Sequence, residues 1–112
     1  MIVLSVGGND LLNNTNDDDM TSLMANHQKV VQYAKYKFND CKVWICNLYI
    51  PFIDDAQIKR INRWNKFIQS YDNVIHLSTI CNQPSDFVSD YEPSVSGGKK
   101  IADTLFLLQR KD

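Results

Sequence analysis

A chain of 112 residues has room for one hydrophobic core and not for two. Its net charge of -1 gives no electrostatic reason to expect an obligate nucleic-acid or membrane-surface partner, and no apolar run approaches the ~20 residues that a bilayer span needs. A 44% hydrophobic and 11% aromatic content suits a globular core.

The first element is the apolar run Ile2-Val3-Leu4, followed by Ser5-Val6-Gly7-Gly8-Asn9-Asp10. A short apolar run closed by Gly and Asn predicts a buried parallel strand ending in a tight turn. Asn9 then stands at the carboxyl end of a strand, where open α/β sheets bind ligands, and its amide could donate to charge developing on a substrate oxygen. The same residues are also ordinary turn chemistry. The amino terminus has no basic leader and its apolar run is short for a signal peptide, so the expected location is cytoplasmic.

Asp17-Asp18-Asp19 lacks the glycine and distal glutamate of a calcium loop. These acids are read as favouring the amino end of the next helix. That helix is predicted from Thr21 to Phe38, with Leu23, His27, Val30, Val31, Ala34 and Phe38 as its apolar stripe. His27, at the stripe's edge, reads as a packing residue. Asn39-Asp40 ends the helix, and Val43-Trp44-Ile45-Cys46 predicts a strand covered on both faces. Pro51 then blocks further ladder pairing.

Asp54 or Asp55 caps a second helix reaching about Tyr71, with Ile58, Ile61, Trp64, Ile68 and Tyr71 buried. Lys59, Arg60, Arg63 and Lys66 form a basic face on this helix, readable as a solvated surface or as a phosphate-contacting one. Val74-Ile75-His76-Leu77 predicts a third strand with His76 on one sheet face. An irregular loop from Cys81 to Val95 follows, and Ser96-Gly97-Gly98 leads into a last helix with Ile101, Ala102, Leu105 and Leu108 on one side. The three cysteines, Cys41, Cys46 and Cys81, match no zinc spacing and read as structural. No metal or cofactor is expected. The order β-α-β-α-β-loop-α predicts a parallel sheet with helices on both faces.

Two segments together resemble the SGNH (GDSL-type) hydrolases. Gly7-Gly8-Asn9-Asp10 is similar to that family's Gly-x-Asn-Asp block. Ser89-Asp90-Tyr91-Glu92-Pro93-Ser94, followed by Gly97-Gly98-Lys99-Lys100-Ile101-Ala102, looks like its final Asp-x-x-His-Pro-Ser block and closing helix. The resemblance implies a flavodoxin-like, three-layer α/β/α fold with a parallel sheet. It covers the latter part of a family domain, so the amino-terminal strands are missing from the expected sheet. It also implies hydrolysis of an ester or an acetylated small molecule or glycan by a serine nucleophile with a histidine base.

Carried over residue by residue, Asn9 would be the oxyanion-hole amide, with Gly7 in its turn. Glu92 occupies the family histidine position. Ser89 occupies the aspartate position, with Asp90 as a displaced acid. The Gly-Asp-Ser block has no counterpart here. A carboxylate with an ordinary pKa of about 4.3 is a poor base near neutrality, so the chain by itself is expected to be catalytically incomplete. The first strand, central in the family sheet, would become an exposed edge open to a partner chain. The alternative is a non-catalytic SGNH-like module binding RNA or protein through Lys59, Arg60, Arg63 and Lys66.

Overall fold

The structure, a computed structural model, describes residues 1–6, 17–50, 55–89 and 92–111, with backbone alone at 17, 18 and 111. The described elements are strands β1 (Ile2–Leu4), β2 (Val43–Cys46) and β3 (Val74–Ile75), and helices α1 (Asp17–Lys37), α2 (Asp55–Ile68), α3 (Leu77–Ile80) and α4 (Val95–Lys111). A 3-10 turn, Pro84–Asp86, lies between α3 and α4.

The three strands form one parallel sheet in the order β1-β2-β3. Val3 stands opposite Trp44, and Cys46 opposite Ile75. The ladder extends past the strand ends through Ile2 N–H to the Lys42 carbonyl (2.9 Å) and Asn47 N–H to the Ile75 carbonyl (3.0 Å). The protein is therefore mixed α/β with a small parallel sheet, and among the described residues no helix is long and apolar enough to cross a membrane.

Consecutive apolar residues in β2 serve two cores, because successive side chains leave a strand on opposite faces. Val43 and Ile45 pack with Met20, Val31 and Ala34 of α1 and with Ile61, Trp64 and Ile68 of α2. Cys46 joins Ile75 and Leu77 on the other face, where Trp44 and the α4 residues Ile101, Leu105 and Leu108 pack against them. Both crossover helices thus share one face, as crossovers of one hand and direction require, and α4 covers the other. Ile2 and Leu4 pack against the first core, while Val3, pointing the other way, is 36% exposed.

Several element ends differ from the sequence reading. Helix α1 spans Asp17–Lys37, so it takes in residues 17–20 ahead of the expected start at Thr21. Its buried line is Met20, His27, Val31 and Ala34, whereas Val30 and Phe38 are exposed. Val30 sits one residue, about 100° of helix, off that line, and Phe38 lies past the last helical residue. Helix α2 stops at Ile68, and half-buried Tyr71 follows in the turn. Strand β3 stops at Ile75 because the His76 carbonyl accepts the amides of Thr79 (3.0 Å) and Ile80 (3.1 Å), turning the chain into α3. His76 is consequently exposed rather than set into a sheet face. Helix α4 takes in Gly97 and Gly98, and Ala102 is exposed beside its packed line Ile101, Leu105 and Leu108.

His27 is buried among the rings of Trp64, Phe67 and Tyr71, with centroid distances of 5.3, 5.8 and 5.4 Å. Its Nδ1 shares a 2.8 Å hydrogen bond with the Tyr71 hydroxyl, and Nε2 has no partner among the described residues. Burial holds the imidazole below its ordinary pKa of 6.5. The unfolded chain therefore binds a proton that the folded chain refuses. This contribution to stability is complete above about pH 6.5 and is lost as pH falls through the lower folded value. We expect the urea midpoint to drop between pH 7 and pH 5 more steeply in the wild-type protein than in His27→Phe. Parallel pH profiles for the two proteins would remove His27 as the cause.

Candidate functional site

The carboxyl end of the sheet gathers most of the buried polar groups. Asn47, the residue after β2, is buried and anchors the start of α3: its Nδ2 donates to the Ser78 hydroxyl (2.8 Å), and its Oδ1 accepts the Ser78 amide (3.1 Å). Asn65 on α2 grips the next residue in the same two-sided way. Its Oδ1 accepts the Leu48 amide and its Nδ2 donates to the Leu48 carbonyl, both at 2.8 Å. A backbone leaving a sheet loses its ladder partners, and these two asparagines replace them at the point where β2 becomes a loop.

Tyr49 follows, half-buried, with its ring edge-on to Phe87 at 5.3 Å. Around it lie two buried thiols. Burial pushes the Cys46 thiol up to about 11 despite a hydrogen bond with the Ser5 side chain. The Cys81 thiol is also raised, by burial first and by the nearby Asp86 carboxylate second. Burial, with both thiols close by, raises the Tyr49 phenol. Thiols raised in this way stay protonated near neutrality and are poor nucleophiles or metal ligands. Among the described residues no three His, Cys, Asp or Glu side chains cluster as a metal site.

The segment between α3 and α4 is organised by Asp86, whose side chain is 1% exposed. Its Oδ2 accepts the amides of Asn82 (3.1 Å) and Gln83 (3.0 Å), and its Oδ1 pairs with the Lys100 ammonium of α4 at 2.7 Å. The Lys100 contact, helped by the two amides and opposed by burial, holds this carboxyl below the usual range. The Asp86 carbonyl accepts the Ser94 amide at 2.7 Å. Ser94 then caps α4, accepting the Gly97 amide (3.2 Å) while its hydroxyl donates to the Ser85 carbonyl (2.7 Å). A bridge between Phe87 and Pro93, with Val88 N–H on the Glu92 carbonyl at 2.8 Å, closes the segment on itself.

Of the residues singled out in the sequence, Gly7, Asn9 and Asp90 lie outside the described residues. Glu92 has its side chain in solvent. Lys59, Arg63 and Lys66 are exposed along α2, opposite the buried Ile61, Trp64, Asn65 and Ile68, with Arg60 half-buried beside them. Among the described residues His27 bonds the Tyr71 hydroxyl, and His76 is exposed. Asp86, Lys100, Asn47, Asn65 and Ser78 were not anticipated as site residues. One signal was available for Asp86: Gln83-Pro84-Ser85-Asp86 has an acid three residues after a turn start, placed to accept the amide at that start.

Among the described residues this arrangement fixes loops. No family model matches the chain, and comparisons with curated proteins and with solved structures likewise find no match.

Proposed function

We propose that the chain is an SGNH-type, esterase-like domain that lacks a complete catalytic set and binds an ester, acetylated small molecule or glycan without turning it over. The observation that carries this reading is the placement of Glu92-Pro93-Ser94. They directly precede α4, with Ser94 capping it, in a segment anchored at the carboxyl end of a parallel sheet. That is the place where the family resemblance puts the closing catalytic block. Glu92 in the histidine position supplies a carboxylate in water, not an imidazole beside a hydroxyl. Asn9 and Gly7 are the proposed oxyanion-binding turn, and Asp90 the displaced acid. Among the described residues strand β1 pairs with β2 alone, and its other edge is the proposed face for a partner chain.

The test combines a fluorophosphonate probe, p-nitrophenyl acetate and an acetylated oligosaccharide. We expect no serine labelling, ester hydrolysis no faster than buffer, and saturable oligosaccharide binding that shifts the amide signals of Tyr49 and His76. A labelled serine whose alanine variant loses ester turnover would make this an active esterase. Absence of binding to both the ester and the oligosaccharide would overturn the ligand class.

A second reading rests on the solvent-facing side of α2, where Lys59, Arg63 and Lys66 recur at four- and three-residue steps. On this reading the domain binds RNA through phosphate contacts, with a salt slope of about 0.7 per phosphate neutralised. Lys59→Ala and Arg63→Ala would each flatten that slope, and variants that bind RNA unchanged would dismiss it.

A further inference from the structure

The segment 82–89 has one connection to α4 that differs in kind from the rest. Most of its contacts are backbone hydrogen bonds or are made by Ser94, next to the helix. Lys100 adds a charged side-chain contact from α4 itself, its side chain 45% exposed while the carboxylate it meets is 1% exposed. The two Asp86 oxygens are not equivalent. Oδ2 has two backbone amides from its own segment, whereas Oδ1 has the Lys100 ammonium and, among the described residues, no other partner. A buried carboxylate oxygen stripped of its counter-charge is costly to leave in place, so Lys100 is the charged anchor of the segment, beside the Ser94 contacts to the Asp86 and Ser85 carbonyls.

What the segment covers gives this anchor a consequence. Phe87 lies against Tyr49, and the Cys81 thiol is buried with its Sγ–H on the Gly97 carbonyl at 3.5 Å. Cys81 directly precedes the segment, and Gly97 is packed beneath the Asp86 carbonyl. Lifting Asp86 off α4 takes Phe87 off Tyr49 and loosens the packing around Gly97, the residue that the Cys81 thiol meets, with Asp86 and Lys100 the charges nearby. The two asparagine clamps lie elsewhere, on Ser78 and Leu48, and use no atom of the segment.

We propose that residues 82–89 form a strap that Lys100 latches over Tyr49 and Cys81 through Asp86, and that loss of the Lys100 charge opens it without unfolding the sheet. The strap is a local opening unit of the kind that exchanges amides below the global unfolding free energy. This does not rest on the function proposed above, since it concerns access to the sheet end whatever binds there.

The experiment is thiol labelling with iodoacetamide, mapped by peptide mass, together with amide exchange, on the full chain. Lys100→Met is expected to raise the Cys81 labelling rate at least about tenfold and to speed exchange at Val88 and Ser94, while Ile45 and Asn47 keep their protection. Lys100→Arg, which retains a cation, is expected to stay within about threefold of wild type. The double variant Asp86→Asn/Lys100→Met, which removes both charges, should label more slowly than Lys100→Met alone, and it serves if the single variant does not fold. Unchanged Cys81 labelling in Lys100→Met would overturn the latch. So would a parallel loss of protection at Ile45 and Asn47, which would mean that the whole domain opens.

Discussion

Replacing Trp64 by alanine is expected to bring the domain to the edge of unfolding. Trp64 is 1% exposed and belongs to the core that joins α1 and α2 to β2. A tryptophan buries roughly 150–250 Å², and truncation of a buried aromatic costs about 3–5 kcal/mol. A domain of this size has only about 5–15 kcal/mol in total. The loss would not stay local, because Trp64 sets its ring edge-to-face against His27 at 5.3 Å and packs against Phe67 at 5.4 Å. Trp64→Phe should behave differently. The indole N–H is buried without a partner among the described residues, and an unsatisfied buried donor costs about 1–3 kcal/mol. Phenylalanine removes that donor along with some volume, so the two changes partly cancel. Urea unfolding should therefore rank the wild-type protein and Trp64→Phe close together, with Trp64→Ala far below. An alanine variant within about 1 kcal/mol of wild type would mean that the site collapses around the cavity.

The fate of Trp64 was legible in the sequence, and the reason marks where such reading stops. Ile61, Trp64 and Ile68 recur at three- and four-residue steps, and all three are buried. Periodicity reports which side of a helix faces the core, and there it succeeded. It overstated the width of that side. Val30 and Ala102 share an apolar side in the sequence, yet each sits one residue, about 100° of helix, from the packed Val31 or Ile101, and both are exposed. Alternation also failed at His76, because two helical amides claim the carbonyl that a longer strand would have used.

The polar contacts were out of reach for a different reason. Asn65 bonds Leu48 from seventeen residues away, and Asn47 bonds Ser78 from thirty-one. Helical spacing puts Asn65, four residues after Ile61, nearer the buried face than the exposed Asn62, but nothing local to it names Leu48 as its partner. The segment around Glu92 is similar in sequence to a catalytic block. The residue that holds that segment is Asp86, whose partner Lys100 lies fourteen positions on, inside a helix whose pattern marks it simply as polar. The polar network around that segment depends on tertiary pairing, which no local pattern records.

Gly97 and Gly98, adjacent in the same helical turn, should respond to alanine with opposite signs. Alanine is favoured over glycine inside a helix by about 1 kcal/mol, so local preference alone would make both substitutions stabilising. At Gly98 nothing lies within 4 Å of where a Cβ would stand, and Gly98→Ala should raise the urea midpoint. At Gly97 the new Cβ would stand 2.2 Å from the Asp86 carbonyl oxygen and 3.1 Å from its carbon, both backbone atoms. No rotamer change relieves that contact, so the strap or the first turn of α4 must move. Moving the Asp86 carbonyl also strains its 2.7 Å bond from the Ser94 amide, and with it the cap of α4. Overpacking a tight site costs about 1–3 kcal/mol even where side chains can adjust, so a backbone collision should exceed the helix gain. Gly97→Ala should therefore lower the midpoint and expose Cys81 to alkylation, while Gly98→Ala leaves the thiol protected. If both variants were stabilised, close packing of α4 against Asp86 would be wrong, and the latch with it.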